Sequence, residues 1–373
     1  MNFDSFSFNP QIAAGIAFAG YTTPTPIQEQ TIPPILAGQD VLGLAQTGTG
    51  KTAAFVLPIL QHLLNGPRKR ARALILAPTR ELAEQTHQAI QQLGKRTGLH
   101  SLTLYGGVGM GPQVRGLQNG VEILVACPGR LLDLMGQRLV DLRAIEILVL
   151  DEADRMFDMG FLPDVRRIAA ALPAERQTLL FSATMPPEVR SLADDFLHQP
   201  VRIEIGIERP VETIRQTVYP VQQEEKYAAL MALLPQAGQG QVLIFTRTKH
   251  RARKLSTQLC KAGLSATSLQ GNLSQNQRQQ AMDGFRSGRI KVMVATDIAA
   301  RGLDVAQISH VINYDMPDTV DAYTHRIGRT GRMMKNGAAF SLITPDDLPM
   351  LRIIERMLGY RLERQQALQN QTA

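Results

Sequence analysis

The chain has 373 residues, 44% of them apolar and 20% charged, which suits two or three globular domains and excludes a disordered chain. It has no apolar run near the ~20 residues of a membrane span, an acid at Asp4 where a signal peptide is basic, and only two cysteines, Cys127 and Cys260. Those features exclude a disulfide framework and a cysteine zinc site, and a cytoplasmic protein with no membrane partner is expected. Net charge is +7, but residues 1–210 hold 19 basic and 20 acidic side chains, whereas residues 211–373 hold 21 and 13. A polyanion is the natural partner of the second half.

Taken in chain order, Asn9-Pro10 and Thr25-Pro26 each read as a cap followed by proline at the first helical position, and Gly20 closes the first helix. Short apolar runs at 41–45, 73–77, 101–105, 122–126, 146–150 and 177–182 predict strands. Amphipathic segments at 51–64, 80–94, 130–137 and 162–172 predict the helices between them. The alternation pauses over 198–221, where Pro200, Gly206, Pro210 and Pro220 predict a linker flanked by extended segments. It resumes with strands at 242–245, 265–269, 291–295, 310–313 and 338–343 and helices at 249–261, 274–285 and 319–328. The expectation is two α/β domains, 1–205 and 215–362, joined by a linker at 206–214 and followed by a polar tail at 363–373. Each would be a mostly parallel sheet with helices on both faces.

Ala45-Gln46-Thr47-Gly48-Thr49-Gly50-Lys51-Thr52 lies between a predicted strand and a predicted helix, the setting of a phosphate-binding loop. Glycines let the backbone curl so that N–H groups face phosphate oxygens, and the helix start favours the same anion. Lys51 would reach the β- and γ-phosphates and Thr52 would ligate Mg²⁺. Ala45 departs from the general pattern, which has glycine there. The strand at 146–150 ends in Asp151-Glu152. Alone this pair reads equally as a solvated turn. Beside a phosphate loop, Asp151 would hold Mg²⁺ and Glu152 would polarise the attacking water. In the second half Arg326, Arg329 and Arg332 recur every third residue, with Gly328 and Gly331 breaking the helix. A loop presenting guanidinium forks to phosphate is the better reading.

These residues, with others in order, give a chain that resembles the DEAD-box RNA helicases of helicase superfamily 2, from Phe3 to Leu358. Asp151-Glu152-Ala153-Asp154 spells the family's name, and Ser182-Ala183-Thr184 matches its third motif. Gly20-Tyr21 and Pro24-Thr25-Pro26-Ile27-Gln28 match its adenine-reading Q motif, within residues 1–29, and Ala45 is the residue this family uses in its phosphate loop. Pro78-Thr79-Arg80-Glu81-Leu82, Gly106-Gly107 and Pro128-Gly129-Arg130 match first-domain RNA motifs. Gln275 and Arg278, Ala295-Thr296-Asp297 and Arg301-Gly302-Leu303-Asp304 match the second domain's motifs. The stretch at 154–161 is similar to the bacterial RhlE-type branch.

The resemblance implies two tandem RecA-like domains and an ATP-dependent RNA helicase whose ATP hydrolysis is stimulated by RNA. ATP and Mg²⁺ would bind at 45–52, with Gln28 on the adenine edge, Phe3 or Tyr21 stacked on the base, and Asp304 on the ribose. Arg329 and Arg332 would act as arginine fingers and Arg326 as a tie between domains, while Asp154, Ser182 and Thr184 would couple nucleotide to RNA. Single-stranded RNA or a short duplex would be held by its backbone: by Arg80, Gly107, Gly129 and Arg130 in the first domain, and by Thr246, Gly271, Gln275, Arg278 and Thr296 in the second. Closure of the domains on a bent strand would then separate a duplex locally, without processive travel. Cys127 stands where the family commonly has threonine, and Gln270 where it commonly has histidine. A monomer is expected, with ribosome assembly and RNA decay both open as settings. The competing readings are a DNA translocase of the same superfamily, an ATP-gated RNA clamp and a small-molecule NTPase. The last leaves the basic second half unexplained.

Overall fold

The computed structural model describes the chain except residues 1, 47, 206–213, 239, 301–307, 331–336 and 367–373 and the side chains of Gln275, Ile298 and Asp321. It divides into two units, Met1–Ile207 and Glu208–Ala373. Among the described residues no helix is long and apolar enough to cross a membrane.

The first unit contains α1 (Pro10–Phe18), α2 (Pro26–Leu36), β1 (Val41–Leu44), α3 (Lys51–Leu63), β2 (Ala73–Leu76), α4 (Arg80–Leu93), β3 (Ser101–Leu104) and α5 (Met110–Asn119). It continues with β4 (Ile123–Ala126), α6 (Pro128–Gly136), β5 (Ile147–Leu150), α7 (Ala153–Asp158), α8 (Leu162–Ala169), β6 (Gln177–Ser182), α9 (Pro187–Phe196) and β7 (Val201–Glu204). Its strands pair in parallel in the order β3-β4-β2-β5-β6-β1-β7. Alternate residues go to opposite faces. Val41, Ile75, Val125, Val149 and Phe181 join one core with α1 to α4, and Leu42, Leu74, Leu124, Leu148 and Leu180 join another with α6 to α9. Both faces are covered, so these strands read as continuous apolar runs. Both expected helix starts are present: Asn9 accepts from the Gln11 N–H, and Thr25 and Gln28 form a capping box.

The second unit contains β8 (Ile214–Pro220), α10 (Lys226–Leu233), β9 (Gln241–Phe245), α11 (Lys249–Lys261), β10 (Ala266–Leu269), α12 (Gln275–Arg286) and β11 (Val292–Ala295). It continues with α13 (Asp297–Ala300), β12 (Ile308–Asn313), α14 (Val320–Ile327), β13 (Gly337–Ile343), α15 (Leu348–Leu358) and β14 (Glu363–Arg364). The sheet order is β10-β11-β9-β12-β13-β8-β14, all parallel, which is the order of the first sheet with every number raised by seven.

A candidate nucleotide and nucleic-acid site

Parallel strands put all their carboxyl ends on one edge of the sheet, where ligands of open α/β folds bind. In the first unit that edge carries the phosphate loop after β1, Asp151 after β5, Ser182 closing β6, Arg80 after β2, and Arg130 after β4. The strand order sorts them. The candidate RNA residues follow β3, β4 and β2, the phosphate loop follows β1, and β5 with Asp151–Asp154 stands between.

The loop leaves β1 with the Ala45 N–H donating to Ser182 O (3.0 Å). Gly48 and Gly50 take φ of +86° and +95°, a region side chains disfavour. A Cβ on Gly50 would lie 2.5 Å from Gln28 Nε2. Gln28 is buried, its Oε1 accepting from Thr25 N–H (2.9 Å) and its Nε2 donating to Gly50 O (3.1 Å). One N–H and one lone pair of that amide remain for a base. Lys51 Nζ donates to Ala45 O (2.5 Å), Thr49 Oγ1 donates to Gln46 O (2.8 Å), and Thr52 is half-buried in the first turn of α3. Thr47 lies outside the described residues. Of the two aromatics, Phe3 is buried against Phe6, whereas Tyr21, stacked on Phe3 at 6.2 Å, is 40% exposed.

Asp151 is 2% exposed. Burial and the neighbouring Glu152 charge push its carboxyl up to about 7, against the pull of Lys51. Glu152 sits in the left-handed region (φ 52°, ψ 56°), a strain on the order of 1–3 kcal/mol for a residue with a side chain. Its carboxylate accepts from Arg155 Nη1 (2.5 Å), and buried Arg155 keeps Nε and Nη2 without hydrogen bonds. The spacing reading overlooked Arg155. The two stand three residues apart, and the first turn of α7 brings them together. A hard divalent cation fits this donor set. Asp151 is a buried carboxylate opposed by one ammonium, and the Thr52 hydroxyl lies at the same strand edge. Among the described residues no group of three His, Cys, Asp or Glu could hold a metal, so such a cation would share its shell with phosphate oxygens and water.

Asp154 links α7 to the segment after β6. Its Oδ2 accepts from Thr184 N–H and Oγ1 (both 3.0 Å) and from Ala183 N–H (3.3 Å). Ser182 Oγ accepts from Asp154 N–H (3.1 Å) and donates to Thr184 O (2.7 Å). These three residues form one closed hydrogen-bond ring, in which a shift at Asp154 moves Thr184.

On the other side of β5, Arg80 lies over the Tyr105 ring (4.2 Å to the centroid), with its Nη1 buried and without a hydrogen bond. Tyr105 is held from behind, its hydroxyl donating to Glu84 Oε1 (2.5 Å). Gly107 follows at φ +79°, and Arg130 Nη2 donates to Val108 O (3.1 Å) while its Nε and Nη1 have no hydrogen bond. Gly129 is exposed. Two guanidinium groups, each with buried N–H groups that have no hydrogen bond, flank this glycine-bearing segment, a donor set of the kind that suits an anion. Cys127 caps α6 between them, and burial, with the Glu81 charge, pushes its thiol up to about 12.

The second unit repeats this placement. Thr246, Gly271 and Thr296 follow β9, β10 and β11, the counterparts of β2, β3 and β4. One expectation is corrected. Thr246 is fully buried, its Oγ1 pointing back to Thr248 O (3.4 Å), and the exposed threonine is Thr248, the N-cap of α11. Gly271 is exposed and Arg278 half-buried, and the Gln275 side chain lies outside the described residues. A second correction concerns Arg326. It binds Asp297 through Nε and Nη2 (2.6 and 2.7 Å) and Asn313 Oδ1 and Asp315 O through Nη1 (3.1 and 2.6 Å). A buried guanidinium needs such partners, and these contacts make it a clasp inside the second unit instead of the expected tie between domains. Arg329 lines an open recess with Phe245, Asp297 and His325. Arg332 and Asp304 lie outside the described residues.

Comparison with known proteins agrees with this edge. The DEAD/DEAH box helicase family matches residues 25–192, and the helicase conserved C-terminal domain matches residues 225–334. The chain is 42% identical over 366 residues to the ATP-dependent RNA helicase CshA of Listeria monocytogenes, covering 98% of this chain and 70% of that one. It is 45% identical to the RNA helicase CrhR of Synechocystis (93% and 71%) and 44% identical to the DEAD-box ATP-dependent RNA helicase 30 of Arabidopsis thaliana (95% and 61%). The chain thus spans about three fifths of the plant relative's length. Among solved structures, Saccharomyces cerevisiae Dbp5 bound to RNA and ADP BeF3 is similar, with TM-score 0.88, 32% identity and 98% and 96% of the two chains covered. These likenesses do not resolve the RhlE-type branch. Two RecA-like sheets of one strand order, a phosphate loop held by Gln28, and an Asp-Glu-Ala-Asp turn tied to Ser182 and Thr184 have one common reading: the chain belongs to the DEAD-box ATP-dependent RNA helicases.

Proposed function

We propose that this chain hydrolyses ATP when RNA is bound, and that the cycle closes its two units on the RNA backbone and separates short duplexes locally. The hydrogen-bond ring of Asp154, Ser182 and Thr184 carries this reading. It joins the Asp151-Glu152 turn, on the nucleotide side of the sheet edge, to the segment after β6. In the reading, Gln28 selects adenine, Tyr21 stacks on it with Phe3 behind, and the N–H groups of 45–50 with Lys51 hold the phosphates. Mg²⁺, held by Asp151 and Thr52, would neutralise phosphate charge as it develops. Glu152 orients the attacking water, with Arg155 fixing its carboxylate. Arg329 and Arg332 stabilise the phosphoryl charge, and Asp304 binds the ribose.

RNA lies on Arg80, Gly107, Gly129 and Arg130 in the first unit and on Thr248, Gly271, Gln275, Arg278 and Thr296 in the second. Backbone contacts make binding independent of sequence, and contact with 2′-hydroxyls would favour RNA over DNA. A cytoplasmic monomer working on ribosomal or RNA-decay particles is the setting this reading fits.

The test is ATP turnover with no nucleic acid, with single-stranded RNA and with matched DNA, followed by release of a short duplex. RNA-selective stimulation with ATP-dependent release is expected. Equal stimulation by DNA would replace the reading with a DNA translocase, and RNA stimulation without release with a clamp.

A further inference from the structure

The basic excess of the second unit is larger than the site just described uses. Arg326 and Arg329 are buried, and Lys226 and Arg251 are spent on Asp315 (3.3 and 2.6 Å). The densest run of basic side chains left is α11, Lys-His-Arg-Ala-Arg-Lys-Leu-Ser-Thr-Gln-Leu-Cys-Lys, which has four Lys and Arg side chains besides Arg251 and no acid. Its core face is Ala252, Leu255, Ser256 and Leu259. His250, Lys254, Thr257 and Lys261 follow one another at helical spacing on the opposite side, with Arg253 beside them and Lys249 in the first turn, and all six are exposed.

Some exposed arginines elsewhere are neutralised by carboxylates, as in Arg143–Asp141 (2.8 Å), Arg166–Asp195 (2.5 Å) and Arg215–Glu363 (3.4 Å); α11 differs in gathering several cations on one helix. Among the described residues, none of Lys249, Arg253, Lys254 or Lys261 has an ion pair. An unneutralised row of charge on one helix face raises the local concentration of a polyanion. The row also starts where the candidate RNA track ends, because Thr248, the exposed threonine after β9, is the N-cap of α11. A strand leaving Thr248 along this helix meets Lys249, then Arg253 and Lys254 about 6 Å farther on, then Lys261 about 10 Å beyond them.

From this we infer that the outer face of α11 is a second RNA-binding surface, which holds the phosphate backbone whether or not nucleotide is bound. The inference rests on the functional reading above, since it takes RNA as the polyanion. An acidic protein segment is the rival occupant. Continuity with Thr248 and the lack of large apolar side chains among the six favour a phosphate backbone.

The experiment uses the full chain and fluorescence anisotropy of a labelled oligouridylate, without nucleotide, across a potassium chloride series. The quadruple variant K249Q/R253Q/K254Q/K261Q keeps good helix formers at exposed positions, and circular dichroism checks its fold. It should bind about 10-fold more weakly at moderate salt. Its plot of log affinity against log salt should be shallower by about 3 if all four cations contact phosphate, from ~0.7 per lost phosphate contact. ATP turnover at saturating RNA should be unchanged. The charge-keeping variant K249R/R253K/K254R/K261R should retain wild-type affinity and slope, and R253Q/K254Q should fall between. An unchanged slope in the quadruple variant would overturn the proposal, as would an equal loss in the charge-keeping one. RNA-insensitive ATP turnover in the wild type would instead overturn the functional reading, so the two failures are distinguishable.

Discussion

After its first strand, each sheet passes the chain to a helix that opens on a buried lysine, Lys51 after β1 and Lys226 after β8. After its fifth strand in chain order, β5 or β12, each sheet carries a buried aspartate, Asp151 or Asp315. The surroundings of the two pairs differ. Asp315 is satisfied inside the second unit by Lys226 Nζ (3.3 Å), Arg251 Nη1 (2.6 Å) and the Arg247 N–H (3.0 Å). Asp151 has Lys51 as its cation and Glu152 as a like-charged neighbour, and burial pushes it up to about 7. The loop after β1 curls through glycines at positive φ, whereas 221–225 is a short turn with a Gln222–Glu225 capping box. One topology thus serves twice. The copy whose charges are internally cancelled is scaffold, and the copy left with an unbalanced carboxylate and an open loop is suited to receive phosphates and a cation.

The sharpest way to break this comparison is at the carboxylates. Glu152→Gln should lower RNA-stimulated ATP turnover by about 10²–10⁴-fold, the range for losing a general base, with nucleotide affinity retained. A variant of normal turnover would remove Glu152 from the chemistry. The mirror experiment is Lys226→Met. It should destabilise the second unit by about 3 kcal/mol, at the low end for a broken buried pair because Arg251 remains on Asp315, and leave ATP affinity alone. Denaturant unfolding with nucleotide titration measures both. Loss of ATP binding in a folded protein would show that the second lysine is not scaffold.

A smaller effect is expected from Arg155→Leu, which frees the Glu152 carboxylate. Turnover should fall roughly 10-fold with the KM for ATP little changed, as for an interaction that acts in the transition state. A rise in KM alone would assign Arg155 to binding. The smallest effect concerns acid stability. Hydrogen bonds from Arg72, opposed by burial and assisted by His62, hold Glu146 below the usual carboxylate range. A lowered carboxyl stabilises the fold above its ordinary value of 4.5 and loses that contribution as pH falls through the folded value. Glu146 is 39% exposed, so Glu146→Gln should cost under about 1 kcal/mol at pH 7. The gap in urea midpoint should close as pH falls from 4.5 through the lowered folded value. A gap that widens in acid would contradict the assignment.

Much of this was legible in the residues. Buried parallel strands are near-continuous apolar runs, and Gly48, Gly50 and Lys51 mark the phosphate loop by composition. Three elements of the first unit escaped because their burial pattern is faint. α5 contains two glycines and a proline and buries only Gln113, α7 has six residues, and α9 lies in a stretch punctuated by Pro186, Pro187 and Pro200. The left-handed backbone of Glu152, the Arg155 contact and the burial of Thr246 in place of Thr248 were not legible. Each depends on the backbone path at a strand end, which residue types and spacing alone do not fix. The internal use of Arg326 escaped for a different reason, since its partner Asp297 is 29 residues away.

Gln28 has a wider consequence. One amide caps the turn into α2 through Thr25 and holds the carbonyl of Gly50, the last residue before Lys51, the lysine proposed to meet phosphate. The group proposed to read the base is therefore also a strut of the loop below it. A nucleotide whose base misplaces that amide would loosen the grip on its own phosphates, so discrimination among nucleotides should register in the speed of turnover as well as in occupancy.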